Sequence, residues 1–129
     1  MIVETSVLVA IVLQEPGFEE FVFKIAEADE QSVSAANYLE ASLVLLQRRG
    51  EGALLELDRV IGEMELAIVP VTSAQVRIAR GSFLAYAKSF GNAAQLNLGD
   101  WFGYALAKQT GEPLLFKGDD FTYTDVLKA

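Results

Sequence analysis

The feature that most constrains this chain is its opening stretch, Met1 to Ile11, where a single carboxylate stands between two apolar runs. Met1-Ile2-Val3 is short and β-branched, which reads as a buried strand. Glu4 follows, then the hydroxyls of Thr5 and Ser6, then a second apolar run from Val7 to Leu13 that reads as a short helix. Thr5 or Ser6 is expected to cap that helix. This order places Glu4 at the carboxyl end of a central strand, where open α/β sheets bind their ligands. A carboxylate among apolar neighbours is costly unless something pairs with it, so other groups are expected to converge on Glu4.

The rest of the chain alternates helix and strand signals. Gln14-Glu15-Pro16-Gly17 ends the first helix. Phe18, Phe21, Val22 and Ile25 then form one face of an amphipathic helix over 18–28. Ser32-Val33-Ser34 returns the chain to the sheet, and Ser34 caps a helix over Ala35–Arg49. Arg48 and Arg49 suit the carboxyl end of that helix, and Gly50 closes it. A further helix covers 52–63, a strand 66–71, and a helix opened by Thr72 or Ser73 runs to about Ala87. The polar segment 89–98 reads as a loop. Asn97 caps a helix over 98–110 closed by Gly111, Pro113 to Phe116 is the last strand, and Lys117 to Phe121 turns after it. This alternation predicts an α/β fold with a mainly parallel sheet.

The length of 129 residues suits a single domain over 1–129, and 52% hydrophobic residues supply its core. The absence of Cys and His removes thiolate and imidazole chemistry, leaving carboxylates, hydroxyls, amides, Lys and Arg. A net charge of −8 argues against nucleic-acid binding by the surface as a whole, while leaving room for a local basic edge. No basic leader precedes the first strand and no apolar run is long enough for a bilayer, so a cytoplasmic protein without membrane contact is expected. A mean hydropathy of +0.30 suggests that some apolar surface is covered by a partner or a second copy.

Acids stand out at four places: Glu4, Glu40 early in the third helix, Asp100 in a helix first turn, and the pair Asp119-Asp120 after the last strand. Strand ends and the helix starts that follow them share one edge of a parallel sheet, so these groups can meet. Each also has a plain structural reading. Asp100 suits a helix dipole, Asp119-Asp120 beside Gly118 suits an ordinary turn, and Glu40 suits a solvated helix face. Carboxylates sharing a pocket repel one another unless a cation intervenes, and an all-oxygen site suits Mg²⁺ or Mn²⁺.

Four segments in order, I-V-E-T-S-V-L-V-A-I, S-A-A-N-Y-L-E-A-S, L-N-L-G-D-W-F-G-Y-A-L-A and E-P-L-L-F-K-G-D-D-F-T-Y-T-D, resemble the PIN-domain ribonuclease toxins of VapBC toxin–antitoxin pairs. The resemblance implies a three-layer α/β/α sandwich and a Mg²⁺-dependent endoribonuclease cleaving tRNA or rRNA, with Mn²⁺ as a substitute. It maps the family's acids onto Glu4, Glu40, Asp100 and either Asp119 or Asp120, with a lean to Asp120, and makes Glu4, Asp100 and Asp120 the metal ligands. Ser6 and Asn97 match the family's supporting polar residues. Glu4 is a departure, since the family carries Asp there; the longer side chain is expected to displace the metal or attenuate activity.

The resemblance further implies a VapB-type antitoxin, a homodimer through the helix bearing Val76 and Phe83, and contact with operator DNA only through the antitoxin. An antitoxin Arg or Lys could enter the acidic pocket, and Phe18, Phe21, Leu43 and Leu46 could line a groove for its helix, although core packing explains them equally. Arg48, Arg49, Arg80, Lys88 and Lys117 are candidate RNA contacts. The alternative is a PIN-like binding or regulatory module, weakened by Glu4, that acts through its protein partner. A phosphoacceptor receiver domain shares the fold class, but Val69-Pro70-Val71 stands where its acceptor Asp is expected.

Overall fold

The computed structural model describes residues 1–129. Its first strand, β1 (Ile2–Val3), divides the molecule, because successive strand residues point to opposite faces. Ile2 enters one hydrophobic cluster and Val3 the other. The chain continues as α1 (Thr5–Val12), α2 (Phe18–Ala26), β2 (Ser32–Ser34), α3 (Ala35–Arg49) and α4 (Glu51–Glu63). Then come β3 (Ala67–Val69), α5 (Ser73–Tyr86), a single 3₁₀ turn at Lys88–Phe90, α6 (Asp100–Thr110) and β4 (Leu114–Leu115).

The four strands are parallel and lie in the order β3-β2-β1-β4, with Ile2 opposite both Ser32 and Leu114. Helices cover both faces, giving the three-layer α/β/α sandwich that was expected. On one face Val3, Val33 and Leu115 pack with Val7 and Leu8 of α1, Ile25 of α2, Leu45 of α3 and Leu57 of α4. On the other, Ile2, Leu114 and Phe116 pack with Trp101, Tyr104 and Leu106 of α6 and with Leu96. The strand order steps outward on either side of β1, so the β1/β4 boundary is a topological switch point. A crevice opens beyond the carboxyl ends of the two strands there.

Several element boundaries differ from the sequence reading. Helix α1 begins at Thr5 rather than Val7 because Glu4, not Thr5 or Ser6, is its N-cap and accepts from the Ser6 amide. Strand β3 is three residues rather than six. Leu66 gives its N–H to Ile61 at the end of α4, and Pro70 has no N–H to continue the ladder. Helix α6 starts at Asp100, two residues later than expected. The segment 89–98 is anchored rather than free: the Lys88 N–H donates to the Leu96 carbonyl, and the Asn92 amide donates to the carbonyls of Leu84 and Ala87. The last residues, for which the sequence reading assigns no element, lie along β4. The Leu114 N–H donates to Leu127 and the Ala129 N–H to Leu114. No helix is long and apolar enough to cross a membrane.

Candidate active site

Glu4 reaches the switch point because β1 ends there: its N–H donates to the Leu115 carbonyl of β4, 3.0 Å away. Its Oε2 accepts from the Ser6 backbone N–H at 2.7 Å and from the Ser6 hydroxyl. The Ser6 hydroxyl in turn accepts from the Lys117 N–H at 2.9 Å, tying the start of α1 to the turn after β4. Glu4 is almost fully buried. That burial pushes its carboxyl above the usual carboxylate range, the Ser6 bonds pull against it, and the neighbouring Glu40 charge adds to the rise.

Asp100 is the first residue of α6. Its Oδ2 accepts from the Asn97 N–H at 2.8 Å, and its own N–H donates to the Asn97 side chain at 3.3 Å. The N-cap of α6 is Gly99 rather than the expected Asn97, and no side chain caps it; the reciprocal Asn97–Asp100 pair instead closes the turn that leads into the helix. A helix N-terminus favours a negative charge, yet the Asp100 carboxyl is pushed up to about 7. Burial is the largest cause, opposed by the bond from Asn97 and reinforced by Glu4, Asp120 and Glu40.

Glu40 stands one turn into α3, and its carboxylate lies against the backbone of Gly99. A Cβ at that position would fall 1.7 Å from Glu40 Oε2, so any larger residue there would make the Glu40 side chain swing aside. Glu4, Glu40, Asp100 and Asp120 line one cleft of about 280 Å³ together with Ser6 and Asn97. Asp119 does not line it; its carbonyl closes the turn by accepting from Thr122. Of the five candidate cations, Arg48 and Lys117 line the cleft. Lys88 borders a neighbouring depression with Phe83 and Trp101, Arg49 lies on another with Val12 and Glu56, and Arg80 is exposed on α5.

Two residues with a part in the site escaped the sequence reading: Glu15, which lines the cleft beside Arg48 and Lys117, and Asn37. Asn37 of α3 is fully buried, and its amide donates to the Thr5 hydroxyl at 3.1 Å and to the Gly99 carbonyl at 2.9 Å. It therefore ties the start of α1, beside Glu4, to the entry of α6, beside Asp100. Its Oδ1 has no partner and lies 3.3 Å from where a Cβ on Gly103 would stand, with Glu4 Cγ at 3.4 Å from the same point. A signal was present in the sequence: Asn37 precedes Glu40 by three residues, which puts both on one face of a helix.

As the side chains stand, no three acids converge closely enough to enclose an ion. The donor chemistry nonetheless suits one. The cleft offers carboxylate, hydroxyl and amide oxygens and no softer donor, the set a hard divalent cation takes. The same burial and mutual repulsion that raise Glu4 and Asp100 are what a cation would relieve.

The fold and cleft define an α/β/α sandwich with clustered carboxylates at the switch point of its parallel sheet. The PIN domain family model matches residues 1–127. Ribonuclease VapC28 of Mycobacterium tuberculosis is 41% identical over 129 residues, covering 100% of this chain and 97% of the relative. Ribonuclease VapC of Mycolicibacterium smegmatis is 42% identical over 126 residues, covering 98% and 97%. The chain belongs to the PIN-domain family, among the VapC ribonuclease toxins. Among solved structures, M. tuberculosis VapC20, described as a sarcin-ricin loop cleaving toxin, superposes with a TM-score of 0.79 at 14% identity, covering 99% of this chain and 97% of that one. VapBC2 of Rickettsia felis, bound to a DNA fragment from its promoter, gives a TM-score of 0.75 at 14% identity, covering 98% and 94%. These two likenesses speak for the fold.

Proposed function

We propose that this chain is the toxin of a type II toxin–antitoxin pair, a divalent-metal-dependent endoribonuclease that cleaves tRNA or rRNA. The observation that carries the reading is the gathering of Glu4, Glu40, Asp100 and Asp120 on one cleft, with the Asp100 carboxyl held near 7. Glu4, Asp100 and Asp120 would hold Mg²⁺ or Mn²⁺. When bound, the ion supplies positive charge at the phosphodiester and makes water a usable nucleophile near neutral pH. Ser6 and the Asn97 N–H aim the two buried carboxylates, and Glu40, which lines the same cleft, would act through water or a second ion. Asp120 is preferred to Asp119 as the fourth acid because it borders the cleft and its charge acts on Asp100.

Partners follow from the exposed apolar surface. Leu39, Leu43 and Leu46 are exposed on α3, the helix that carries Glu40, and offer a face for a helix of a VapB-type antitoxin. Val76, Phe83 and Leu84 are exposed on α5 and offer a face for a second copy. With a net charge of −8, operator DNA is left to the antitoxin.

The test is cleavage of a panel of tRNAs and rRNA fragments with Mg²⁺, Mn²⁺ or EDTA, comparing this chain with Asp100→Asn. Cleavage that needs the metal and is lost in the variant is expected; full activity of Asp100→Asn would refute the assignment. One observation favours the non-catalytic alternative, a binding or regulatory module acting through its partner. The Glu4 carboxylate is turned back onto Ser6 as a helix cap. Absence of both metal binding and cleavage in this chain and in Glu4→Asp would select it.

A further inference from the structure

RNA must approach a cleft lined by five acids, Glu15 among them, on a chain with only ten Lys and Arg residues against eighteen Asp and Glu. The two cations on that cleft are both engaged by one carboxylate. Glu15 takes Arg48 Nη1 on Oε1 at 3.5 Å and Lys117 Nζ on Oε2. We propose that Glu15 is an internal stand-in for a nucleic-acid phosphate, holding Arg48 and Lys117 at the cleft mouth until a phosphodiester takes its place. The inference rests on the ribonuclease reading above and names its phosphate subsite.

Three observations carry it. First, the cations come from separate elements, the last turn of α3 and the turn after β4, and Glu15 from the turn after α1. Nothing in local sequence brings them together, yet all three border the carboxylate cleft. Second, each of the two cations takes its own oxygen of the same carboxylate. A phosphodiester presents two non-bridging oxygens in much the same way, and Arg and Lys serve both kinds of anion. Third, the arrangement is held from behind. The Glu15 N–H donates to the Ala10 carbonyl at 2.9 Å, and the Lys117 N–H donates to the Ser6 hydroxyl at 2.9 Å. Lys117 is thus tied through Ser6 to Glu4. The cations stay accessible, with Arg48 56% and Lys117 39% exposed, so an incoming anion can reach them.

Neither cation pairs with Glu4, Glu40, Asp100 or Asp120. Glu15 therefore performs two tasks: it keeps the rim cations away from the inner acids, and it competes with substrate for them. Removing its charge while keeping its shape should favour substrate.

The experiment measures binding of a short fluorescein-labelled single-stranded RNA of mixed sequence to the full chain, by anisotropy, in EDTA at low ionic strength. Glu15→Gln should tighten binding about three- to tenfold, the scale set by two exposed ion pairs. The gain should fade at high salt. Lys117→Gln should weaken binding, and Glu15→Gln should give no gain in a chain that also carries Arg48→Gln and Lys117→Gln. Glu19→Gln removes the same charge from an exposed site on α2 away from the cleft and controls for net charge. If Glu15→Gln changes binding no more than Glu19→Gln does, or keeps its gain without the two cations, the proposal is overturned. Because no cleavage is needed, the two readings fail separately. Absence of metal-dependent cleavage beside the expected binding pattern would remove the ribonuclease reading and leave the phosphate subsite standing.

Discussion

Replacing Asp100 by Asn should stabilise the metal-free protein while removing its proposed activity. The Asp100 carboxyl is pushed up to about 7 from an ordinary 3.8, chiefly by burial and then by Glu4, Asp120 and Glu40. A group raised in the folded state contributes stability below its unfolded value, and that stability is lost as pH rises through the folded value. For Asp100 the window runs from about pH 4 to pH 7, so at pH 8 the folded protein carries the full cost of the ionised group. A rise of this size corresponds to roughly 4 kcal/mol as an upper bound. Water at the open cleft mouth screens part of that, leaving roughly 2 kcal/mol. Asn keeps an oxygen to accept from the Asn97 N–H and offers N–H donors to the surrounding acids. Urea unfolding in EDTA should therefore find Asp100→Asn more stable by roughly 2 kcal/mol at pH 8, or about 6 to 8 °C in Tm. The difference should narrow steadily as pH falls through that window and nearly close only below about pH 4, where Asp100 holds its proton in the folded and unfolded chains alike. Added Mg²⁺ should raise the Tm of the parent chain and leave the variant almost unchanged. A variant less stable than its parent at pH 8, or a gap that ignores pH, would refute the electrostatic account of the cleft.

Three further outcomes are expected. Glu4→Asp should raise metal-dependent RNA cleavage by about ten- to a hundredfold, the scale of an ångström's correction in position, measured as kcat/KM on whichever RNA is cut. Asn37→Ala should cost about 1–3 kcal/mol in urea unfolding and weaken Mg²⁺ binding by calorimetry, since it releases both Thr5 and the Gly99 carbonyl. Tyr104, fully buried, shares hydrogen bonds with Ser82 and Asp125, and burial lifts its phenol to about 12. Tyr104→Phe should cost about 1 kcal/mol below pH 10. The parent should lose that advantage as pH rises from about 10 to 12, followed by denaturation across that range.

What could be read from the chain alone was local. Helix α3 matches its expected span at both ends, because Ser34 caps its start and Gly50, at φ +76°, ends it. The capping of α5 by Thr72 with Gln75, and the closure of α6 by Gly111 at φ +72°, are signals of the same kind. Glu4, Glu40 and Asp100 were legible as acids set among apolar or helix-start neighbours, where a charge is expensive without a purpose. These signals act over three or four residues, so no knowledge of the fold is needed to read them.

Tertiary structure decided whatever depends on groups far apart in the chain. That Asp120 borders the cleft and Asp119 does not depends on which way the loop after β4 faces. The capping role of Glu4 required α1 to start one residue after the strand, a geometry set by the pairing of β1 with β4. Asn37 meets Gly99 across 62 residues, and Lys117 meets Glu15 across 102. A strand order of β3-β2-β1-β4 puts those partners side by side, and that order comes from burying two faces of one sheet at once. Composition and periodicity supply the apolar surface for that burial; only the assembled sheet determines which polar groups are left facing one another at its edge.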